Sequence, residues 1–492
     1  MSDQTCQSPQ ALPITTPAPE IQKTGPNFRI IALIIASAMF MEQLDATVLA
    51  TALPTMARDF GVQPQSMSLA LTSYLLSLAI FIPASGKIAD RFGSRTVFSA
   101  AIAVFVFGSI LCAQAPDLRF LVGARIVQGL GGAMMLPVGR LVLLRSVARK
   151  DFVSATSWLL IPALVGPILG PPVGGLIVTY FDWRWIFYIN VPIGCIGFIL
   201  VSRFIANVKG ESGGRFDFLG FLLSGISLGS FLFGFEMASR PGESEQAALL
   251  VVIGVVFGVG YLAHAKRHPS PILDFSLMRI SSFNTSVIAG SLTRITQGAQ
   301  PFLLPLMLQL GFGLSAARAG GIVVATAVGS MLMKVVAPKI LRRVGFRSGL
   351  IVNGLVATFG YALCAAFRPD WPLPLIFGIL MCCGFFMSFQ FTAYNTVAYD
   401  EIGRERMSSA TSFYTTFQQL MLSLGICVGA LALSGSMLVR SHATPELGDF
   451  SAAFLVVTAI SLTATIWNLR FSRSAGSDIS GHTKGVAKAP AE

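Results

Sequence analysis

Apolar runs the length of a membrane crossing follow one another from Phe28 to Leu469 and leave room for little else. About fourteen can be counted: Arg29–Leu53, Ser66–Ala89, Thr96–Ala115, Phe120–Leu144, Ser154–Tyr180, Trp185–Ala206, Phe218–Ala238, Ala247–Ala265, Phe283–Leu310, Ala316–Ala337, Ser348–Phe367, Leu373–Ala398, Ser408–Leu438 and Phe450–Leu469. A helix needs roughly 20 apolar residues to cross the hydrocarbon core of a bilayer. In that solvent each backbone N–H and C=O must find its partner inside a helix or a closed barrel. A barrel would show segments of about ten residues with alternating polarity, and these runs do not alternate. The spacing therefore predicts an all-α integral membrane protein. Only 12% of the residues are charged, against about a quarter in soluble domains.

The net charge of +12 would suggest nucleic acid in a soluble protein. Here the distribution of the basic residues accounts for it. Lys87, Arg91 and Arg95 follow the second span, Arg145, Arg149 and Lys150 the fourth, and Lys339, Arg342, Arg343 and Arg347 the tenth. The intervening loops carry single arginines, such as Arg58, Arg119 and Arg184. This is the positive-inside bias. It places both termini in the cytoplasm; the membrane expected is the plasma membrane, the inner membrane of a bacterium. Residues 1–27 and 474–492 are polar and read as cytoplasmic tails without fixed structure. No nucleic-acid module is recognisable.

The seven cysteines, an odd number lying mostly within spans, read as small apolar packers rather than a disulfide framework. The four histidines fall at span ends, loops or tails without metal-ligand spacing, so no metal and no cofactor are expected. No glycine-rich phosphate loop and no nucleophile with a base is present, and an enzyme is not expected.

Weak internal symmetry organises the spans. GKIADRFGSR follows the second and APKILRRVGFRS the tenth; GRLVLLRSVARKDFVSAT follows the fourth and NTVAYDEIGRERMSSATS the twelfth. Two six-helix bundles, residues 28–206 and 281–473, joined by two inserted transmembrane helices with their loops, residues 207–280, account for the pattern. Internal repeats of this kind mark secondary transporters.

Ionisable residues inside the spans are the chemical signal, because each costs roughly 2.5–3.5 kcal/mol to insert. Glu42 and Asp45 are three apart in the first span and share a helix face. Asp45 lies about fifteen residues from the cytoplasmic entry, roughly 22 Å up. Arg125 lies about five residues into the fourth span, which enters from outside, and reaches a similar depth. The two can neutralise each other as a pair that protonation would open, or each can face polar cavity water. Glu42 lies lower with no partner to name; it is either a local helix contact, a second coupling site or a substrate contact. Gln128 shares a face with Arg125. Arg294, near the middle of the ninth span, is placed for contact with substrate or an anion. Arg140 and Lys334 are close enough to the cytoplasmic face to snorkel, and Glu236 reads as interfacial at the outer end of the seventh span.

Five ordered motifs carry a resemblance. GKIADRFGSR, residues 86–95, resembles the cytoplasmic loop of the major facilitator superfamily; ARIVQGLGGA, residues 124–133, its basic fourth-span motif; GPILGPPVGG, residues 166–175, its fifth-span antiporter motif. LDATVLATALP, residues 44–54, and DWRWIFYINVPIG, residues 182–194, resemble the fourteen-span drug:proton antiporter branch. The resemblance implies a major facilitator fold working by alternating access. It implies that Gly86, Asp90, Arg91, Gly93 and Arg95 form the loop that holds the halves in one access state. Ser94 stands where the family usually has a second basic residue. It implies that Arg125 tunes proton release from a nearby acid, and that Gly166, Pro167, Gly170, Pro171, Gly174 and Gly175 form the hinge associated with export.

The expected function is proton-coupled export of small amphipathic or lipophilic compounds, that is, multidrug efflux. Asp45, Arg125 and Glu42 are the proton-coupling candidates, and Glu42, Gln128 and Arg294 the cavity candidates. The alternatives are a dedicated exporter of one metabolite or siderophore, or a lipid flippase. The partners implied are a small-molecule substrate, protons and the bilayer. Export across two membranes would add a periplasmic adaptor and an outer-membrane channel, for which no docking surface is legible.

Overall fold

The computed structural model describes residues 28–146, 152–209, 216–238, 243–472 and 475–477. Residues 1–27 and most of the second tail lie outside the described residues. The described residues form fourteen long helices: α1 (Phe28–Asp59), α2 (Ser68–Phe92), α3 (Ser94–Ala113), α4 (Leu118–Ser146), α5 (Phe152–Tyr180), α6 (Trp185–Phe204, broken at Ile189), α7 (Phe218–Met237), α8 (Ser244–Ala265), α9 (Ser281–Leu306), α10 (Ala316–Val344), α11 (Phe346–Cys364), α12 (Leu373–Val397), α13 (Met407–Arg440) and α14 (Leu447–Trp467). There is no strand among the described residues. Eleven of these helices are by themselves long and apolar enough to cross a membrane. Two of the other three, α9 and α11, are diluted by polar residues, among them Arg294, Gln297 and Gln300 in α9.

The packing repeats. In the first half α1 packs on α5 and α6, α4 on α2 and α3, and α3 on α6. In the second half α9 packs on α13 and α14, α12 on α10 and α11, and α11 on α14. These are the same neighbours in the same order, and they give two six-helix bundles. The halves meet along α5 with α10 and α2 with α13. The inserted pair, α7 and α8, packs on itself and lies across the α2–α13 seam. Glu236 near the end of α7 anchors it there: Ser68 Oγ donates to its Oε1 at 2.5 Å and Cys427 Sγ donates to its Oε2 at 3.4 Å. Glu236 is therefore buried between three helices near the end of α7; burial without those two donors would be costly. Outward, α8 presents Leu249, Val252, Val256 and Val259, which face lipid where a soluble protein would place charge.

At its other end the inserted pair is tied by Asp217, which caps α7 by accepting from the Gly220 N–H at 2.9 Å and meets His264 Nε2 of α8 at 2.7 Å. Burial pushes the Asp217 carboxyl up, but the Gly220 N–H and His264 outweigh it and hold the group below the usual carboxylate range. His268, one turn beyond His264, brings a third ligand-type atom within 4.8 Å of these two. The expectation that no cluster has metal-ligand spacing is thus corrected: His264 stands in the last turn of α8, the turn after the helix brings His268 back beside it, and the tertiary fold supplies Asp217 from 47 residues away.

The fifth-span motif explains the closeness of α1 and α5. Gly166, Gly170 and Gly174 lie along one face of α5 against Gln43, Thr47 and Thr51 of α1, where any Cβ would overlap the neighbour. The helix continues through Pro167, Pro171 and Pro172. Gly175 faces the other way and abuts the Ala316 carbonyl at the start of α10, and Gly320 abuts the Pro171 carbonyl. Nearby, the Ala317 N–H donates to Thr179 Oγ1 at 3.0 Å. A widened, π-type turn at Met307–Gly311 ends α9 and carries Gln309, whose Nε2 donates to the Thr51 carbonyl at 3.0 Å. These contacts close the halves together at the end where α1 and α5 finish and α10 begins.

Candidate functional site

Between the halves, below that closed end, lies a cavity of about 300 Å³. Its walls come from α1, α5, α9, α10 and α12. Gln43, Thr47 and Thr51 recur every four residues and form one stripe of α1. Gln297, Gln300, Pro301 and Leu304 form a stripe of α9 opposite. Prolines, Met331, Met387 and Phe391 make the surface mostly apolar with scattered amides and hydroxyls. A second space of about 150 Å³ adjoins it, sharing Ala50, Gln297 and Pro301, and reaches Tyr74 and Arg125.

Arg125 is 0% exposed and is the largest fully buried side chain described. Its Nη1 lies 2.6 Å from Asp45 Oδ2 and donates at 2.6 Å to Gln128 Oε1; its Nε donates to the Ala70 carbonyl at 3.0 Å. The guanidinium stands 4.4 Å from the centre of the Tyr74 ring. Asp45, 3% exposed, accepts at Oδ1 from Gln128 Nε2 and from Asn190 Nδ2, each at 2.8 Å. Ser109 Oγ accepts from both of these amides and passes its own proton to the Phe105 carbonyl. Five helices, α1, α2, α3, α4 and α6, therefore converge on one carboxylate–guanidinium pair. Such a pair stays buried only when its remaining donors and acceptors are filled, and here the amides of Gln128 and Asn190 fill them.

Sequence reasoning placed Asp45 and Arg125 at one depth, and the fold puts them in contact. It missed Asn190 and Ser109. Asn190 lies inside the DWRWIFYINVPIG motif, directly after the break at Ile189, and an amide in an apolar span was the available signal.

None of the three residues expected to line the cavity does so. Gln128 is consumed by the Asp45 network. Glu42 is buried on the same stripe of α1 as Ala46 and Ala50, with no hydrogen-bond or ion-pair partner among the described residues, so the local-contact reading gains no support. Arg294 is 3% exposed and sits behind the wall: its guanidinium is 5.7 Å from the centre of the Phe391 ring and 4.8 Å from that of Tyr414, and its Nη2 donates to Tyr414 Oη at 3.0 Å and Gln418 Oε1 at 3.3 Å. Lys334 lines the cavity with an exposed side chain, and Arg140 is exposed as well.

In the loop after α2, Gly93 has a φ of 95° and packs against Asn207, a conformation and a closeness that favour glycine. Ser94, at the family's usual basic position, donates through both its N–H and its Oγ to the Val208 carbonyl, at 3.1 and 3.3 Å. Thr96 N–H donates to Asn207 Oδ1 at 3.3 Å. These contacts of Gly93, Ser94 and Thr96 hold the loop to the segment after α6, within its own half. Arg91 is exposed and lies against the Phe92 ring.

Two similar helical halves, joined at one end around a cavity with a buried ion pair beside it, are the architecture of a membrane transporter. The chain matches the profile of the Major Facilitator Superfamily over residues 35–426, and it belongs to that family. It is 34% identical over 445 residues to a Haemophilus influenzae protein named as a transport protein, HsrA, covering 90% of this chain and 95% of that one. It is 35% identical over 426 residues to an Escherichia coli O6:H1 protein named as a multidrug resistance protein, MdtD, covering 86% and 89%. The fold is similar to that of the nucleoside transporter NupG (TM-score 0.61, 15% identity, 89% of this chain and 98% of that one). It is equally close to a bacterial homologue of the human lysosomal transporter Spinster (TM-score 0.62, 13% identity, 92% and 99%).

Proposed function

We propose that the protein exports small amphipathic molecules from the cytoplasm in exchange for protons, with Asp45 as the proton carrier and Arg125 as its counter-charge. The observation that carries this is the 2.6 Å pair at the edge of a space that adjoins the central cavity. With Asp45 ionised, the pair locks α1 to α4. A proton on Asp45 removes the charge that Arg125 faces and loosens that lock. α1 also carries the Gln43–Thr47–Thr51 stripe, so a shift of α1 is felt in the cavity. Switching access means separating the halves, between which three hydrogen bonds cross among the described residues: Gln309 to Thr51, Ala317 to Thr179 and Ser423 to Thr72. At about 1 kcal/mol net each, their loss is of the size that a proton moving down about two pH units supplies, roughly 1.4 kcal/mol per unit.

Under this reading both termini are cytoplasmic, the closed end is the outer one, and the membrane is the bacterial inner membrane. Residues 28–206 and 281–473 are the rocking bundles and 207–280 the insert. The hinge role belongs to α5, whose glycines touch both α1 and α10. Transport is the whole chemistry, with no catalytic step. A periplasmic adaptor and an outer-membrane channel would serve only to carry cargo past a second membrane. The name of the Escherichia coli relative favours several substrates over one.

The test is transport in proteoliposomes with and without a pH gradient, using a panel of dissimilar cationic, neutral and anionic dyes. Asp45→Asn should abolish gradient-driven transport while the protein still purifies as a monodisperse species. Undiminished gradient-driven transport by that variant overturns the assignment; transport of one dye alone overturns the multidrug part.

A further inference from the structure

We propose that the central cavity takes amphipathic anions, an apolar body ending in a carboxylate or similar acid, drawn by Lys334 and by Arg294 behind the wall. This rests on the cavity being the substrate path.

Charge around the cavity is one-sided. Lys334 is its only ionisable lining residue among those described, and it has no carboxylate within ion-pair distance there. From α1 come Gln43, Thr47 and Thr51; from α12, Ser388 and Phe391; from α10, Thr326 and Ser330: all are neutral. Arg294 lies one turn from Gln297 on the cavity stripe of α9 and adds a second positive charge. Its described partners are a hydroxyl, an amide and two aromatic rings, and its Nε has none. The two acids in α1 do not offset this. Asp45 is already met by Arg125, Gln128 and Asn190, and Glu42, like Arg294, lines neither space, which leaves Lys334 as the one charge on the lining of the cavity among the described residues.

The hydrogen-bonding groups point the same way. The amide nitrogens of Gln297 and Gln300, both on cavity-lining side chains, have no acceptor among the described residues. A buried cation and unpaired donors are each costly in an apolar surround. A ligand that brings acceptors and negative charge relieves both costs. A cationic ligand relieves neither and adds repulsion. Low-dielectric walls focus the field of Lys334 into the cavity.

The experiment compares 2-naphthoate, 2-naphthamide and 2-naphthylmethylammonium, which share one apolar body, by calorimetric titration of the full chain in nanodiscs at pH 7.5. Naphthoate should bind about tenfold or more tighter than the ammonium compound. Lys334→Gln, a change at an exposed side chain, should weaken naphthoate about tenfold and leave naphthamide within about twofold, and Lys334→Arg should restore naphthoate. Arg294→Gln should act in the same direction. No naphthoate binding, equal or tighter binding of the ammonium compound, or an equal loss of naphthoate and naphthamide in Lys334→Gln overturns the proposal. Binding needs no gradient, so a failure of proton coupling in Asp45→Asn leaves this result standing. A cavity that prefers the ammonium compound leaves proton coupling standing.

Discussion

The two buried arginines, one in each half, solve the same physical problem differently. Arg125 and Arg294 both sit in membrane-length helices, almost without access to water. Each lies near a tyrosine ring and each has a glutamine acceptor. Only Arg125 has a carboxylate, at 2.6 Å. The first half therefore carries a neutral pair, hydrogen-bonded further to Gln128, Asn190 and the Ala70 carbonyl, whose balance depends on one proton. The second half carries a cation held by dipoles and π faces, and its charge balance is left to whatever enters the cavity. The difference separates the two sites: one arginine is tied to an acid on its own half, the other is held behind the cavity wall by Tyr414, Gln418 and Phe391.

The sharpest way to break that comparison is to remove each guanidinium in turn. Arg125→Met leaves Asp45 charged and unpaired and should cost about 3–5 kcal/mol, seen as a large fall in melting temperature in detergent. Replacing both partners, Asp45→Leu with Arg125→Met, should recover much of that stability without recovering gradient-driven transport. Arg294→Met strands no acid and should cost only about 1–2 kcal/mol, the loss of its hydrogen bonds and π contacts. Equal losses for the two single variants would show that the two sites are not different in kind.

Next in size is the closed end. A side chain on Gly320 cannot fit beside the Pro171 carbonyl. Gly320→Leu should push the halves apart there. On a background without native cysteines, a Thr51→Cys probe should then react severalfold faster with a membrane-impermeant maleimide. Unchanged labelling would mean that this contact does not seal the cavity.

The smallest effect is expected where the inserted helices are tied. Asp217→Asn should cost about 1 kcal/mol or less at neutral pH. Because the folded state holds the Asp217 carboxyl below its usual value, the wild-type advantage is complete above about pH 4 and fades as pH falls through the lowered value. An advantage that persisted undiminished down to about pH 2 would show that the Asp217 carboxylate does not carry it.

Much of this was legible before any coordinates. Apolar run length gave the helices to within a few residues: the first was expected from Arg29 to Leu53 and runs from Phe28 to Asp59, and the sixth from Trp185 to Ala206 and runs from Trp185 to Phe204. The bilayer makes this possible, because it imposes one length and one polarity on every crossing element. Depth was legible too, since helix rise converts residue number into height, and that brought Asp45 and Arg125 to one level. Rotation about the helix axis was not. Gln128 turns inward to the ion pair, Arg294 stops behind Phe391, Lys334 faces the cavity and Glu236 is buried between α2, α7 and α13. None of these four rotations follows from height alone.

The sequence by itself determined that the chain is a polytopic helical membrane protein, where its helices begin and end, and which ionisable residues lie too deep to be accidental. Length, polarity and rise are properties of one helix, and one helix suffices to read them. Only the tertiary structure decided which helix faces meet. It brought Asn190 and Ser109 to Asp45 and, among the described residues, left Arg294 without an acid and lined the cavity with Lys334 and no carboxylate. Those outcomes depend on contacts between segments tens to hundreds of residues apart, set by glycine-mediated approach and side-chain packing, to which the period of a single apolar run carries no information.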